Sequence, residues 1–228
     1  MNQLQTQLRN NPWTLLVSLP RNDVELARAA LEGGAQGLKV HINVEHFASG
    51  TRFGSLEEER GTLTQIVALA REFGANVGIV PGSEGNFASP QDFVELAHIG
   101  IDYFDAYPAD APAWVFAQTD LDIMMAAFHG ANLHEFSGFE ALNMTLCEAS
   151  ILPHEEYGKA LSALDLARYA HLVSHLEVPV IVPSQKKIEP RDIPALQKTG
   201  VKGLLIGAIV TGREVESLGR ATRSFTGT

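Results

Sequence analysis

The stretch VPVIVPSQKKIEPRDIPALQKTGVKGLLIGAIVTG, residues 178–212, decides the fold. It contains two short apolar runs, residues 180–182 and 203–206, with a helical segment between them. Pro190 suits the first helical position because its missing N–H needs no partner there, and Gly200 is a typical helix end. A strand, a helix and a second strand within about 30 residues predict a parallel crossover.

The same alternation extends through the whole chain. The longest helix is predicted over residues 157–176. The predicted strands are residues 14–18, 37–44, 77–80, 101–107, 121–128, 143–148, 180–182 and 203–206. Eight such units in about 215 residues fit one (β/α)8 TIM barrel domain that spans residues 1–228. An open doubly wound sheet is the alternative, but residues 18–21 after the first strand lack the glycine-rich dinucleotide loop.

Composition limits the partners that we expect. The formal net charge is −10 and no long basic run is present, so nucleic acid is not an expected partner. Cys147 is the only cysteine, which excludes an internal disulfide and favours the reducing cytoplasm. No apolar run approaches the length of a membrane span, so no membrane partner is expected. The composition is compatible with a homo-oligomer.

Strand parity selects the candidate catalytic residues. Lys39 and His41 share one face of strand two, opposite its apolar face, and that polar face therefore points into the barrel. Asp105 on strand four and Glu148 at the end of strand six are also expected to point inward. Substrates of such barrels meet residues near the carboxyl ends of the strands, which makes Lys39, His41, Asp105 and Glu148 the candidates. A buried ammonium needs partners, so Lys39 is predicted to contact Asp105 or Glu148.

Two mechanisms fit an interior lysine beside carboxylates. One is acid–base exchange of a proton next to a carbonyl group, and the other is a Schiff base on the lysine. Nearby carboxylates raise the pKa of a lysine and oppose the second mechanism, so acid–base chemistry is favoured. The sequence contains no metal-ligand spacing, and neither a metal ion nor another cofactor is predicted.

A phosphate site is predicted where the last two strands end. Gly207 lets the backbone approach a ligand, and Ala208 opens a short helix whose first N–H groups favour an anion. Barrels of this kind commonly hold phosphate in the loops after strands seven and eight. Ser184, Gln185 and Lys186 follow strand seven and complete the predicted site.

The layout resembles the ribulose-phosphate-binding barrel superfamily. Within it, the final unit, VPVIV followed by GLLIGAIVTG, is similar to the end of the N-acetylmannosamine-6-phosphate 2-epimerase family. The resemblance implies a sugar-phosphate ligand whose phosphate lies on the turn of Gly207 and Ala208. The acidic residue of that family at the end of strand seven has no counterpart, since residues 182–184 are Val-Pro-Ser. A fainter likeness joins LLVS and DVELARAALEGGA to the (5-formylfuran-3-yl)methyl phosphate synthase family, whose strand-two lysine is catalytic.

These observations favour an isomerase, epimerase or lyase that acts on a small phosphorylated carbonyl compound. Two alternatives remain: a barrel that binds such a ligand without catalysis, and a metal-assisted lyase or hydrolase. The long polar connection over residues 45–54 is predicted to be a mobile lid, with Arg52 moving toward the mouth when ligand binds.

Overall fold

A computed structural model describes residues 3–83, 85–118 and 120–226, which form a closed parallel barrel. Each strand pairs with the next along the chain, and the last pairs with the first. The strands are β1 Thr14–Ser18, β2 Gly37–His41, β3 Asn76–Val80, β4 Tyr103–Ala106, β5 Asp122–Phe128, β6 Met144–Ser150, β7 Val180–Pro183 and β8 Gly203–Ile206. The predicted (β/α)8 TIM barrel is confirmed.

Helices cover the outside of the barrel, and one further helix precedes β1. They are α1 Gln3–Asn10, α2 Val24–Glu32, α3 Leu56–Glu72, α4 Pro90–Ile99, α5 Leu133–Phe136, α6 Ala163–Val173, α7 Ile193–Gln197, α8 Ala208–Thr211 and α9 Val215–Thr226. Short 3₁₀ turns add Ala113–Phe116, Ser137–Leu142, His154–Glu156 and Pro190–Asp192. Serine capping boxes start α3, α4 and α6, so each of these helices begins where its first free N–H groups gain a partner. None of the described helices is both long and apolar enough to span a membrane.

Several sequence predictions differ from the structure. Strand β4 is shorter than predicted, with Tyr103–Ala106 instead of residues 101–107, and β6 extends to Ser150 instead of ending at residue 148. The helix predicted over residues 157–176 is wrong at its start, because Gly158 has φ +74° and the Ser162 capping box delays α6 to Ala163. The longest described helix is instead α3, with 17 residues. Strand β2 ends at His41 rather than residue 44, since Asn43 adopts a left-handed φ of 56°. Helix α1 was not predicted at all, although its two buried leucines are spaced at i and i+4.

The barrel interior is apolar toward the amino-terminal ends of the strands and polar toward their carboxyl ends. Its lower layer is one buried cluster, in which Leu4 and Leu8 of α1 close the amino-terminal end. The strands contribute Leu16, Tyr103, Met124, Leu146, Ile181 and Leu205 to this cluster. Gly78 makes room for Tyr103, because any Cβ at that position would overlap the tyrosine ring. This apolar cluster excludes water from the amino-terminal end of the barrel. The polar side chains lie toward the carboxyl ends of the strands.

The connection after β2 forms a small antiparallel hairpin beside the barrel mouth. Glu45–His46 pairs with Thr51–Arg52, and the Gly50 N–H donates to the His46 carbonyl at 2.8 Å. We call residues 45–52 the mouth hairpin. A second small hairpin, Gly82–Ser83 with Asn86–Phe87, follows β3. Both lie at the end of the barrel where substrates bind in this fold.

Candidate active site

A cavity of about 310 Å³ opens at the carboxyl ends of the strands. All eight strands contribute residues to its wall, and the mouth hairpin and the turn after β6 line its rim. All four candidate catalytic residues line this cavity, namely Lys39, His41, Asp105 and Glu148. Side chains from three different strands, whose inward direction was predicted from strand parity, thus meet in one cavity.

Lys39 is the centre of a buried ionic cluster. Its ammonium lies 2.8 Å from Asp105 Oδ2 and also donates a hydrogen bond to Glu148 Oε2. The predicted contact between Lys39 and an inward carboxylate is confirmed, and both carboxylates take part. Glu148 Oε1 accepts a further bond of 3.0 Å from the Ser150 hydroxyl. The second oxygen of Asp105, Oδ1, is buried without a hydrogen-bond partner among the described residues.

The two carboxyl groups of the cluster differ in their protonation state. Burial, followed by the charge of Glu148, raises the pKa of Asp105 to about 8. Burial would also raise the pKa of Glu148, but the Lys39 charge and hydrogen bonds from Asp105 and Ser150 lower it. Burial would lower the pKa of Lys39, yet attraction to both carboxylates outweighs this and raises it. Near neutral pH, a protonated Asp105 thus lies beside an ionised Glu148, an arrangement suited to acid–base chemistry.

His41 presents a neutral imidazole to the cavity. The residue is 1% exposed, and neither ring nitrogen has a hydrogen-bond partner in the described part of the chain. Its ring packs against those of His46 and Phe53, with both centroid distances at 4.6 Å. Burial, with a smaller effect from the charges of His46 and Lys39, lowers its pKa well below the usual value. Buried polar groups rarely lack a partner, so the unpaired imidazole of His41 is an exception in this cavity.

His46 was not predicted as a site residue, but it lies in the mouth hairpin and lines the cavity. Its Nδ1 lies 2.8 Å from the Ser49 hydroxyl. Burial and then the Lys39 charge lower the pKa of His46 to about 4. Only the short separation from His41 in sequence hinted at a role, because hairpin geometry is not readable from strand parity.

The loops after β7 and β8 meet at one side of the cavity, as predicted. The Gly207 N–H donates to Ser184 Oγ at 2.8 Å, and Ser184, Gly207 and Ala208 all line the cavity. Ile209 lies next to them. The first N–H groups of any helix lack an intrahelical acceptor, so the start of α8 presents donors here.

Lys186 is placed differently from its predicted role as a phosphate partner. Its ammonium is buried between Glu156 Oε2 at 2.7 Å and Asp165 Oδ2 at 3.3 Å, and it is not among the residues that line the cavity. The ammonium instead ties the β7 loop to α6. Sequence spacing placed the residue near the site but could not show which way a loop side chain turns.

Gln185 lines the cavity, but its amide holds the loop together. Its Oε1 accepts from the Leu152 N–H at 3.2 Å, and its Nε2 donates to the Leu152 carbonyl at 3.2 Å. The same Nε2 donates to the Tyr157 hydroxyl at 2.7 Å. Gln185 therefore positions Tyr157, another cavity residue that was not predicted from the sequence.

Aromatic rings form the outer rim. Phe47 of the mouth hairpin stacks on His154 with a centroid distance of 4.4 Å, and Tyr157 packs edge-on against both rings. This contact joins the connection after β2 to the turn after β6. Among the residues that the structure describes, no three His, Cys, Asp or Glu side chains form a group that could hold a metal ion.

No protein-family model and no curated protein matches this sequence. The chain is similar in structure to a thiamine phosphate pyrophosphorylase from Pyrococcus furiosus, with a TM-score of 0.68, 19% identity and 95% of each chain covered. It is also similar to KGPDC from Streptococcus mutans, with a TM-score of 0.69, 11% identity and coverage of 95% and 97%. A tryptophan synthase complex from Pyrococcus furiosus gives a TM-score of 0.72 at 13% identity, with coverage of 94% and 98%. Likeness at such low identity concerns the fold alone.

Proposed function

We propose that this protein is an isomerase, epimerase or lyase that acts on a small phosphorylated carbonyl compound by acid–base chemistry. The observation that carries the proposal is the Lys39 ammonium held between Asp105 and Glu148 at the depth of the cavity. A thiamine phosphate pyrophosphorylase of the same fold adds support, since its name states a phosphate ester.

Glu148 is the general base in this proposal. It takes a proton from the carbon next to the substrate carbonyl, and the C–H electron pair moves into an enolate whose charge develops on the carbonyl oxygen. Lys39, the protonated Asp105 and the neutral imidazole of His41 can each donate a hydrogen bond to that oxygen. Return of the proton to carbon from another direction gives an epimer, and its return to a neighbouring carbon gives an isomer.

The raised pKa of Lys39 argues against a Schiff base. Burial alone would lower that pKa, but the two carboxylates reverse the effect and keep the amine protonated. A protonated amine is not a nucleophile. Lys39 accordingly acts through its charge.

Phosphate binding on Ser184, Gly207 and Ala208 is the second part of the proposal. The support is their shared position on the cavity wall after β7 and β8, where barrels of this kind commonly hold phosphate. Lys186 is left out because Glu156 and Asp165 hold its ammonium.

A barrel that binds such a ligand without catalysis is the second candidate. It is favoured by the end of β7, where Pro183 and Ser184 stand at the position that holds an acidic residue in the family the sequence resembles. The two candidates differ in whether a carbon-bound proton exchanges with solvent.

Proton NMR in D₂O tests the proposal. The wild-type protein is incubated with glyceraldehyde 3-phosphate, ribulose 5-phosphate and N-acetylmannosamine 6-phosphate, and deuterium at the carbon next to the carbonyl is followed. We expect incorporation with at least one compound, and a loss of about 100-fold or more in Glu148→Gln. Glu32→Gln on the exposed face of α2 is the matched control and should retain full exchange. A thermal shift without exchange would support the binding candidate, and neither effect with any compound would overturn both.

A further inference from the structure

Gln185 determines the direction of the hydrogen bond that it shares with Tyr157. The Leu152 N–H donates to Gln185 Oε1, and the Leu152 carbonyl accepts from Gln185 Nε2, each at 3.2 Å. These two backbone groups cannot exchange roles, so they decide which end of the Gln185 amide is oxygen and which is nitrogen. A flipped amide would lose both bonds, and the side chain is buried, with 4% exposure.

The Tyr157 oxygen is therefore an acceptor. Gln185 Nε2 carries two hydrogens, and the one that the Leu152 carbonyl does not use is donated to Tyr157 Oη at 2.7 Å. An amide NH₂ group donates but does not accept, so the Tyr157 proton is directed elsewhere. In the described part of the chain no residue accepts a hydrogen bond from this hydroxyl, and Tyr157 lines the cavity. The proton is thus available to a group bound there.

Ser184, the residue before Gln185, has the same arrangement. Its Oγ accepts from the Gly207 N–H at 2.8 Å, and a backbone N–H can only donate. Ser184 also lines the cavity, and none of the residues that the structure describes accepts a hydrogen bond from it. The β7 loop therefore leaves two hydroxyl protons without an acceptor, its own on Ser184 and the one that Gln185 orients on Tyr157. Phosphate oxygens are strong acceptors, so this excess of donors suits a phosphorylated ligand.

The turn that carries Tyr157 is bonded to the β7 loop through its backbone as well. The Gly158 N–H donates to the Gln185 carbonyl at 2.8 Å, and the Lys187 N–H donates to the Lys159 carbonyl at 2.9 Å. Tyr157 itself is half-buried. A donor that is held in place before the ligand arrives loses little conformational entropy on binding, which favours affinity.

We propose that Tyr157 binds the ligand directly, and that its hydroxyl donates a hydrogen bond to an oxygen atom of the phosphorylated compound. The class of ligand rests on the proposed function, and the inference adds a residue to that site. The oxygen belongs either to the phosphate or to the rest of the molecule, since both offer the same acceptor chemistry. Burial raises the pKa of Tyr157, although the hydrogen bond from Gln185 lowers it, so the hydroxyl keeps its proton at neutral pH.

Calorimetric titration of wild type and Tyr157→Phe tests the inference. The probes are inorganic phosphate, glyceraldehyde 3-phosphate, ribulose 5-phosphate and N-acetylmannosamine 6-phosphate. Phenylalanine keeps the ring and removes only the hydroxyl, so the dissociation constant of the phosphorylated carbonyl compounds that bind should rise by about tenfold or more. Weaker binding of inorganic phosphate as well assigns the oxygen to the phosphate group. Weaker binding of the carbonyl compounds alone assigns it to the rest of the molecule.

Tyr169→Phe is the matched control for the loss of a tyrosine hydroxyl. Its hydroxyl is buried and has no hydrogen-bond partner among the described residues. The variant should therefore change each dissociation constant by less than about twofold.

A second measurement needs no ligand. The protein is labelled with ¹⁵N in its glutamine side chains, and the Nε2 protons are observed by NMR. One Gln185 Nε2 proton should move upfield in Tyr157→Phe, because it loses its acceptor. The Gln118 amide, which donates to the Leu121 carbonyl at 2.8 Å, is the internal reference and should not move.

Three results would overturn the inference: a Gln185 proton that does not move, a Tyr157→Phe variant that binds every compound as tightly as wild type, or a wild type that binds none of them. Failure of the proposed function gives a different result. Binding that Tyr157→Phe weakens, without deuterium incorporation in the D₂O assay, supports the role of Tyr157 and rejects acid–base catalysis. Deuterium incorporation with equal affinities in both proteins supports the catalysis and rejects the role of Tyr157.

Discussion

The ammonium of Lys39 lies 2.8 Å from the carboxylate of Asp105, a residue 66 positions later in sequence on the next strand but one. Both side chains are nearly inaccessible to water, with 7% and 3% exposure. A pair this deeply buried loses much hydration energy, and its attraction compensates only when the remaining hydrogen bonds are made. With Glu148 the pair becomes an ionic triad. The effect of removing one member therefore depends on the charges that the other two then carry.

The first prediction is that Lys39→Met destabilises the protein at pH 8. Methionine has a similar length but no charge, and it leaves Glu148 ionised, buried and without its cation. We expect a loss of about 3–5 kcal/mol in the free energy of unfolding, measured by urea denaturation. Adding Glu148→Gln to Lys39→Met should recover most of this loss. Equal stability of Lys39→Met and wild type at pH 8 would contradict the buried triad.

The second prediction concerns the pH dependence that Asp105 produces. In the unfolded chain this carboxyl loses its proton near pH 4, but in the folded protein burial, followed by the Glu148 charge, keeps its pKa at about 8. Between pH 5 and pH 8 the folded state therefore binds more protons than the unfolded state, and stability attributable to Asp105 falls as pH rises. Asp105→Asn removes this dependence.

The effect is measured by urea denaturation of wild type and Asp105→Asn at pH 5 and pH 8, as the difference between their free energies of unfolding. The stability of Asp105→Asn relative to wild type should rise by at least about 1 kcal/mol from pH 5 to pH 8. Taking the difference cancels the contribution of titrating groups that do not contact Asp105, His46 among them. A relative stability that stays constant or falls over this interval would show that Asp105 is ionised at neutral pH.

Sequence reasoning succeeded where strand geometry fixes side-chain direction. Successive residues of a strand point to opposite faces, so placing Val40 against the helices placed Lys39 and His41 inside. The ends of β1 and β8 were also predicted to the residue, because apolar runs stop there at glycine or a polar residue.

The rest of the site depends on loops, which have no such period. Lys186 turns toward α6, because Asp165 and Glu156 offer carboxylates there that the sequence does not place. Tyr157 was assigned to a helix, and its position at the rim results from the turn at Gly158 and the late start of α6. His46 enters the cavity because residues 45–52 fold back as a hairpin.

The third prediction is a loss of stability in mild acid that involves His46. Burial, followed by the charge of Lys39, lowers the pKa of this imidazole from 6.5 to about 4 in the folded protein. The unfolded state therefore takes up its proton first, and stability is lost as pH falls below 6.5. Between pH 7 and pH 5, His46→Gln should lose about 2 kcal/mol less than wild type in urea denaturation. An equal loss in both proteins would show that His46 titrates normally.

The fourth prediction tests the anion site through charge at one position. Ala208→Asp places a carboxylate on the cavity wall after β8, and Ala208→Asn places a neutral side chain of the same shape there. Tens of millimolar phosphate should raise the melting temperature of wild type and Ala208→Asn but not of Ala208→Asp. Binding at 100 times the dissociation constant corresponds to about 2.7 kcal/mol of stabilisation. If neither inorganic phosphate nor any sugar phosphate stabilises the wild type, the site is absent.

The fifth prediction concerns the mouth hairpin as a lid. It has only two paired residues in each strand, and its connection to the opposite rim includes the stacking of Phe47 on His154. Phe47 is 65% exposed, so this stack contributes little buried area and can open readily. Amide hydrogen exchange over residues 45–52 should therefore be fast in the ligand-free protein compared with the barrel strands. A ligand that the deuterium or thermal-shift assay identifies should slow it.

Phe47→Ala tests the stacking contact with His154 separately from the rest of the mouth hairpin. If the contact with His154 closes the lid, the variant should show weaker ligand-induced protection of residues 45–52, and ligand affinity should fall several-fold. Phe73→Ala removes another exposed aromatic ring, immediately after α3, and serves as the matched control with unchanged protection. Strong protection of the hairpin amides in the empty wild type would end the lid hypothesis, because a segment that is already closed cannot close on a ligand. Fast exchange that a bound ligand leaves unchanged would show an open rim with no gating role.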